Sequence, residues 1–224
     1  MNGRSFAAFF ILFTIATGLY IDQAFDWGQT ATSVWAWSLY FALIVADPKH
    51  ARISLVFCLA YASMGEYLMS DLWGLYDYRE GHIPLFVPPG HALLYFLGVT
   101  IADKVPKQIV YAVPAVLAPY LAYAIWTLVD TEALVWFTVF LAFLKWGPNK
   151  QLYTTMFVLA LIMEIYGTSL GNWTWRPQVP HTFLTSTNPP ATAGVFYCIL
   201  DVMVIASTNF FRQRFVLKKQ VAAT

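Results

Sequence analysis

Eight long apolar stretches, separated by short loops that hold nearly all the charge, run the whole length of this chain. They read as Ser5–Ile21, Ala31–Ala46, Ile53–Met69, Leu85–Ala102, Val110–Leu128, Ala133–Leu144, Leu152–Leu170 and Ala191–Phe211. Segments of this length and apolarity are helices meant for lipid, because barrel strands alternate and are shorter. The second and sixth are short, and the sixth extends naturally to Glu132 and Trp146. Of 224 residues, 59% are hydrophobic and only 11% charged, a balance that a water-soluble chain of this size could not bury. A net charge of +1 gives no preference for a polyanion, so nucleic acid is not an expected partner. Cys58 and Cys198 both fall inside apolar stretches and read as buried small hydrophobes, not a disulfide.

The loop charges sort by side. Arg4, Lys49, Arg52, Lys104, Lys107, Lys145, Lys150, Arg212, Arg214, Lys218 and Lys219, 11 of the 13 basic residues, fall in alternate connections or at the two ends. The other connections carry Asp22, Asp26, Asp71, Asp77, Glu80, Asp130 and Glu132. The positive-inside rule then places both termini in the cytoplasm, for an integral multi-pass protein of a bacterial inner membrane. Arg4 before an apolar run also opens many secretory signals, but no small-x-small cleavage site follows, and the first stretch reads as a retained helix.

Two parts of the chain resemble each other. Gly65–Arg79 reads GEYLMSDLWGLYDYR, and Met163–Arg176 reads MEIYGTSLGNWTWR. Glu66 pairs with Glu164, Gly74 with Gly171, Tyr76 and Tyr78 with Trp173 and Trp175, and Arg79 with Arg176. Pro88–Pro89 and Pro189–Pro190 follow, and Pro48 and Pro148 precede. The fold expected is all-α, with eight transmembrane helices in two parallel four-helix repeats, 1–104 and 105–224, forming one membrane domain around a pseudo-twofold axis along the membrane normal. Such an axis brings Glu66 and Glu164 to equal depth in a shared cavity.

These acids are the leading candidates for chemistry. A carboxyl within a span costs several kcal/mol unless it is paired or neutral, so it marks a functional site. Small or polar neighbours (Ala62, Ser63 and Ser70; Ala160, Gly167 and Thr168) suit faces turned inward. Either each Glu is expected to clamp the following arginine, or one of the two to stay protonated as an acid. Asp201, with Asp103 as its rough counterpart, is a third acid, placed mid-span. His91, after Pro88–Pro89–Gly90, could exchange a proton with Glu66 or simply bond its loop. His82, His91 and His181 with a glutamate could make a metal site, but no helix carries paired histidines at ligand spacing, and no metal or cofactor is expected. Trp27, Trp73, Trp173 and Trp175 fit an outer aromatic belt and Trp146 an inner one. Tyr76, Tyr78, Trp173 and Trp175 also lie beside the acids, where their π-faces would stabilise a cation. Arg79 and Arg176, the two basic residues outside the positive side, are expected at the substrate with them.

The glutamate helix, the Gly-x-aromatic-x-aromatic turn and the proline-spaced return helix resemble the membrane carotenoid hydratases, the bisanhydrobacterioruberin hydratase and carotene 1'-hydratase group. They are also reminiscent of the integral-membrane lycopene and terpene cyclases. The resemblance rests on Glu66, Gly74, Tyr76, Tyr78, Pro84 and Pro88 with their second-copy partners, about a third of the chain. It implies acid chemistry on an isoprenoid or carotenoid double bond, of hydro-lyase or isomerase/cyclase type, without an organic cofactor. Two other classes remain open at this point. One is a non-catalytic subunit that binds a lipid, pigment or membrane-complex partner. The other is a small carboxylate-lined transporter, although Pro114 and Pro119 are the only prolines well inside a span.

Overall fold

A computed structural model describes residues 3–46 and 49–221, with side chains for 4–46 and 52–214. Pro48 and the side chains of Lys49, His50, Lys218 and Lys219 lie outside the described residues. Eight helices form: α1 (Gly3–Ala24), α2 (Gly28–Ala46), α3 (Lys49–Glu66), α4 (Val87–Ala102), α5 (Ile109–Trp126), α6 (Ala133–Trp146), α7 (Lys150–Leu170) and α8 (Gly194–Val221). Each overlaps one of the expected stretches with shifted ends; α6 reaches Trp146 but begins at Ala133, with Glu132 just before it. Five helical segments are long and apolar enough to cross a membrane: Arg4–Ala24, Arg52–Trp73, Ile109–Trp126, Lys150–Leu170 and Gly194–Arg214. Val87–Ala102 and Ala133–Trp146 are shorter apolar helices. The outer surface is itself apolar: Tyr111 is 79% exposed and Val116 76%, on a helix with no acidic or basic residue. In water such a face would be an aggregation site; in lipid it is ordinary.

The core is a ring of four helices. α3 packs against α4 and α8, and α7 packs against α8 and α4, so α3 and α7 stand diagonally opposite. α1 and α2 pair with each other and lean on α4, while α6 leans on α7 and α8. Close approach depends on missing side chains at two places. A Cβ on Gly98 of α4 would meet the Met156 sulfur of α7 at 2.0 Å, and one on Gly194 of α8 would meet the Phe157 carbonyl at 2.4 Å. Both cysteines are buried and free.

α3 does not stop at Glu66. A π-helical stretch, Tyr67–Trp73, prolongs it and ends on Gly74 at φ 74°. α7 ends on Gly171 at φ 83°. Both glycines hold left-handed backbone that closes a helix C-terminus at no cost in Cβ strain. Each reversal leads into a three-residue strand, β1 (Tyr76–Tyr78) and β2 (Trp173–Trp175). The strands pair antiparallel, Tyr76 with Trp175, Asp77 with Thr174 and Tyr78 with Trp173.

Candidate functional site

A strand turns alternate side chains to opposite faces, so an aromatic-x-aromatic tripeptide presents two rings on one side. In both strands the outer two residues are buried and the middle one exposed. The miniature sheet thus lays four rings over the end of the helix ring. Tyr76 and Trp175 face each other across the strands with centroids 4.6 Å apart, and Tyr78 and Trp173 at 6.3 Å. These rings are part of the interior, unlike Trp27 and Trp146, which are 59% and 73% exposed.

The polar edges of the four rings point at the two glutamates. The Tyr76 hydroxyl donates to Glu66 Oε2 at 2.8 Å and the Tyr78 hydroxyl to the same atom at 2.6 Å. The Trp173 and Trp175 indoles donate to Glu164 Oε2 at 2.8 and 3.0 Å. Each strand therefore serves the acid of its own half. Gly167 makes room for this arrangement, since a Cβ there would meet the Trp173 ring at 2.0 Å. Burial first, and then the adjacent Glu66, hold both strand phenols well above the usual tyrosine range, so they remain donors.

Glu66 has a further partner. Its Oε1 lies 3.2 Å from His91 Nε2. On the other side of that ring, Nδ1 lies 3.0 Å from the Val87 carbonyl. A carbonyl only accepts, so Nδ1 must carry a proton. In the neutral imidazole Nε2 is then a lone pair facing a carboxyl oxygen. The contact is attractive only with a proton between the two atoms, on Glu66 or on His91. Glu164, in contrast, receives indole N–H bonds, which can only donate. The two acids thus differ in their partners: Glu66 takes two phenol bonds on Oε2 and faces His91 with Oε1, whereas Glu164 takes two indole bonds on Oε2.

Both carboxyls line one cavity of about 70 Å³. Its remaining wall includes Tyr76, Tyr78, Trp173 and His91 from the expected set. Tyr197 of α8 completes it. Its ring stacks on His91 at 5.0 Å and 3° between planes, and its hydroxyl is in reach of Glu164. α1 and α2 close the side with Thr14, Gly18 and Thr32. Glu66, His91 and Tyr197 also line a second hollow of about 60 Å³ behind them, toward Leu200.

Three expected site residues lie elsewhere. Arg79 donates to the Asp22 carbonyl at 2.8 Å and to Glu80 at 3.0 Å, with Asp22 Oδ1 at 3.5 Å. Arg176 grips Asp77 of the opposite strand through two bonds of 2.9 and 2.8 Å. This fork pulls the Asp77 carboxyl below its usual range and raises the guanidinium. The clamp between each glutamate and its following arginine therefore does not form; the arginines tie down the outer side of the sheet. Asp201 is fully buried, but it does not line the cavity. Both its oxygens lack a hydrogen-bond partner among the described residues. His82 rests against Gln29 and the Glu80 carbonyl, and His181 holds a positive φ of 62° in the loop before α8. Among the described residues, no three His, Cys, Asp or Glu side chains gather closely enough to hold a metal ion.

Tyr197 escaped the sequence reading although a signal for it was there. It lies four residues before Asp201, one turn nearer the glutamates on the same helix face. Asn172 was also passed over. Its amide bonds the Leu19 carbonyl at 3.1 Å and the buried Asp22 carboxylate, joining α1 to the start of β2.

Comparison with protein-family models, curated proteins and solved structures finds no match.

Proposed function

We propose that this protein is a membrane enzyme that protonates an isoprenoid or carotenoid double bond and ends the reaction by hydration, isomerisation or cyclisation. The observation that carries this reading is the pair of unlike glutamates in one aromatic-walled cavity. The proton shared by Glu66 and His91 goes to one alkene carbon and leaves a tertiary cation on the other. The faces of Tyr76, Tyr78, Trp173 and Tyr197 stabilise that cation. In hydration, water attacks it and gives up a proton to Glu164, so that alkene plus water becomes an alcohol. In isomerisation, Glu164 removes a proton from the neighbouring carbon. The hollow behind Glu66 and His91 is roomy enough for ordered water, which would return the proton to the donor side.

The architecture proposed with it is eight spans in two parallel repeats, 1–104 and 105–224, with both termini in the cytoplasm of a bacterial inner membrane. The antiparallel pairing of β1 with β2, the matching left-handed glycines and the diagonal placement of α3 and α7 support a twofold relation. The substrate enters from lipid, as its apolarity requires.

The same chamber would suit an apolar pigment or lipid held without reaction, and product analysis separates the two readings. The experiment is mass spectrometry of lipids extracted after expression in a polyene-accumulating host. Glu66→Gln and Glu164→Gln are expected to leave folding intact and to abolish the product. Unchanged product in both variants rejects the enzyme reading.

A further inference from the structure

Asp201 is the acid that the glutamate chamber leaves unused. It lies on α8, about two turns from the start of that helix, at 0% exposure, and neither carboxyl oxygen has a hydrogen-bond partner among the described residues. The ionisable side chains within reach of its charge are Cys58 of α3, Tyr95 of α4, Tyr153 of α7 and Cys198 of its own helix, one from each helix of the ring. None of these is basic, so none offers it an ion pair. A carboxyl kept inside a membrane bundle without a counter-ion marks an ion or proton pathway.

Hollows lie on both sides of it. Toward the expected cytoplasmic end, Ser54, Tyr95 and Thr208 line a cleft of about 320 Å³, where Tyr95 is hydrogen-bonded to Ser54 and the Ser54 and Thr208 hydroxyls meet at 3.2 Å. Toward the glutamates, Tyr197 stands one turn before Asp201, at the i, i+4 spacing that makes two helical side chains neighbours. Tyr197 and Leu200 line the hollow of about 60 Å³ that they share with Glu66 and His91. From Glu66 the line continues through the Tyr78 hydroxyl, at 2.6 Å, to an outer hollow of about 320 Å³ that Tyr78 also lines, with Ser70 and His82. One buried tyrosine thus closes each end, Tyr95 on the inside and Tyr78 on the outside, at 7% and 8% exposure.

We propose that this column carries protons across the membrane, with Asp201 as its midway station. Asp201 takes a proton handed on from the cleft through Tyr95 and releases one toward the Tyr197 hollow, so the carboxyl ends each passage as it began and nothing else is consumed. Phenol and serine hydroxyls both donate and accept, which suits them to pass a proton along. The hollows are roomy enough for the ordered water that links such groups. The inference rests on the membrane reading and does not depend on the isoprenoid chemistry.

The test is proton flux into phosphatidylcholine vesicles that hold the full chain and a trapped pH-sensitive dye, driven by a potassium diffusion potential. The wild-type protein is expected to acidify the lumen faster than protein-free vesicles do, at a rate independent of sodium. Asp201→Asn, nearly isosteric, should return the rate to that of protein-free vesicles. Tyr95→Phe, which keeps the ring and removes the hydroxyl, should lower it by about tenfold or more, as loss of a proton-transfer group does. Asp26→Asn, in the exposed turn between α1 and α2, should leave it unchanged. Wild-type acidification no faster than that of protein-free vesicles, or a rate that follows sodium, overturns the proposal. So does an unchanged rate in folded Asp201→Asn or folded Tyr95→Phe. Product formation is read separately, by mass spectrometry, so the failure of either reading leaves the other standing.

Discussion

At the scale of single residues, the contact between Glu66 and His91 decides the most. Nδ1 is committed to the Val87 carbonyl, so Nε2 meets the carboxyl only through a shared proton. A glutamine at position 91 keeps polarity and approximate reach but cannot hold that proton. His91→Gln is expected to lower turnover by about 10²–10⁴-fold, the usual contribution of a general acid. The readout is product yield per folded protein in the polyene-accumulating host, and full turnover would remove His91 from the mechanism. Glu66, Glu164, the four strand aromatics and His91 were all legible in the sequence. Two carboxyls in apolar stretches are conspicuous, and the aromatic pairs stood out because each follows an acid at the same place in the two similar segments. The arginines were misread because their partners depend on strand pairing. Only the antiparallel register sets Arg176 over Asp77, and only the burial of Asp22 in the last turns of α1 draws Arg79 away.

At the scale of elements, the eight helices followed from apolar length and loop charge, but the small sheet did not. Two three-residue strands, Tyr76–Tyr78 and Trp173–Trp175, lie far apart in the chain, and no local pattern announces that they meet. The loop between α5 and α6 held another surprise. Asp130 and Glu132 were counted among the acidic connections, with the sixth helix reaching toward Glu132, and both are buried, at 0% and 2% exposure. Thr187 and the Ala191 N–H bond Asp130, fastening this loop to the segment before α8, and the Trp136 indole of α6 bonds Glu132. Burial pushes both carboxyls above their ordinary 3.8 and 4.5, against the lowering effect of these bonds. The folded protein thus binds these protons more tightly than the unfolded chain. Their contribution to stability is present in acid and is lost as pH rises from the ordinary carboxyl range through the raised values. Glu132→Gln removes one of the two titrations. Its melting temperature relative to wild type should therefore rise between pH 4 and pH 7, as read by thermal unfolding in detergent. A constant difference across that range would show that Glu132 titrates normally.

Across the whole molecule, the two ends of the bundle differ in chemistry. One end holds the glutamates under a lid of four aromatic rings; the other holds basic residues at the expected cytoplasmic face. The outer surface between them is apolar. Orientation is open to direct measurement, because Cys58 and Cys198 are fully buried and leave a low background. In intact cells, a membrane-impermeant maleimide is expected to label Asp26→Cys and Glu80→Cys and to spare Lys107→Cys until the membrane is opened. The opposite pattern would invert the topology.

All three proposed outcomes, hydration, isomerisation and cyclisation, begin by placing a solvent-derived hydrogen on carbon. The most direct test is therefore deuterium content in the polyene recovered from cells that express the protein in D₂O after the host's own polyene synthesis has been blocked. The wild-type protein should add non-exchangeable deuterium to the recovered polyene or its product, and Glu66→Gln and Glu164→Gln should add none. Deuterium uptake that persists in both variants, or no uptake with the wild-type protein, would contradict the account.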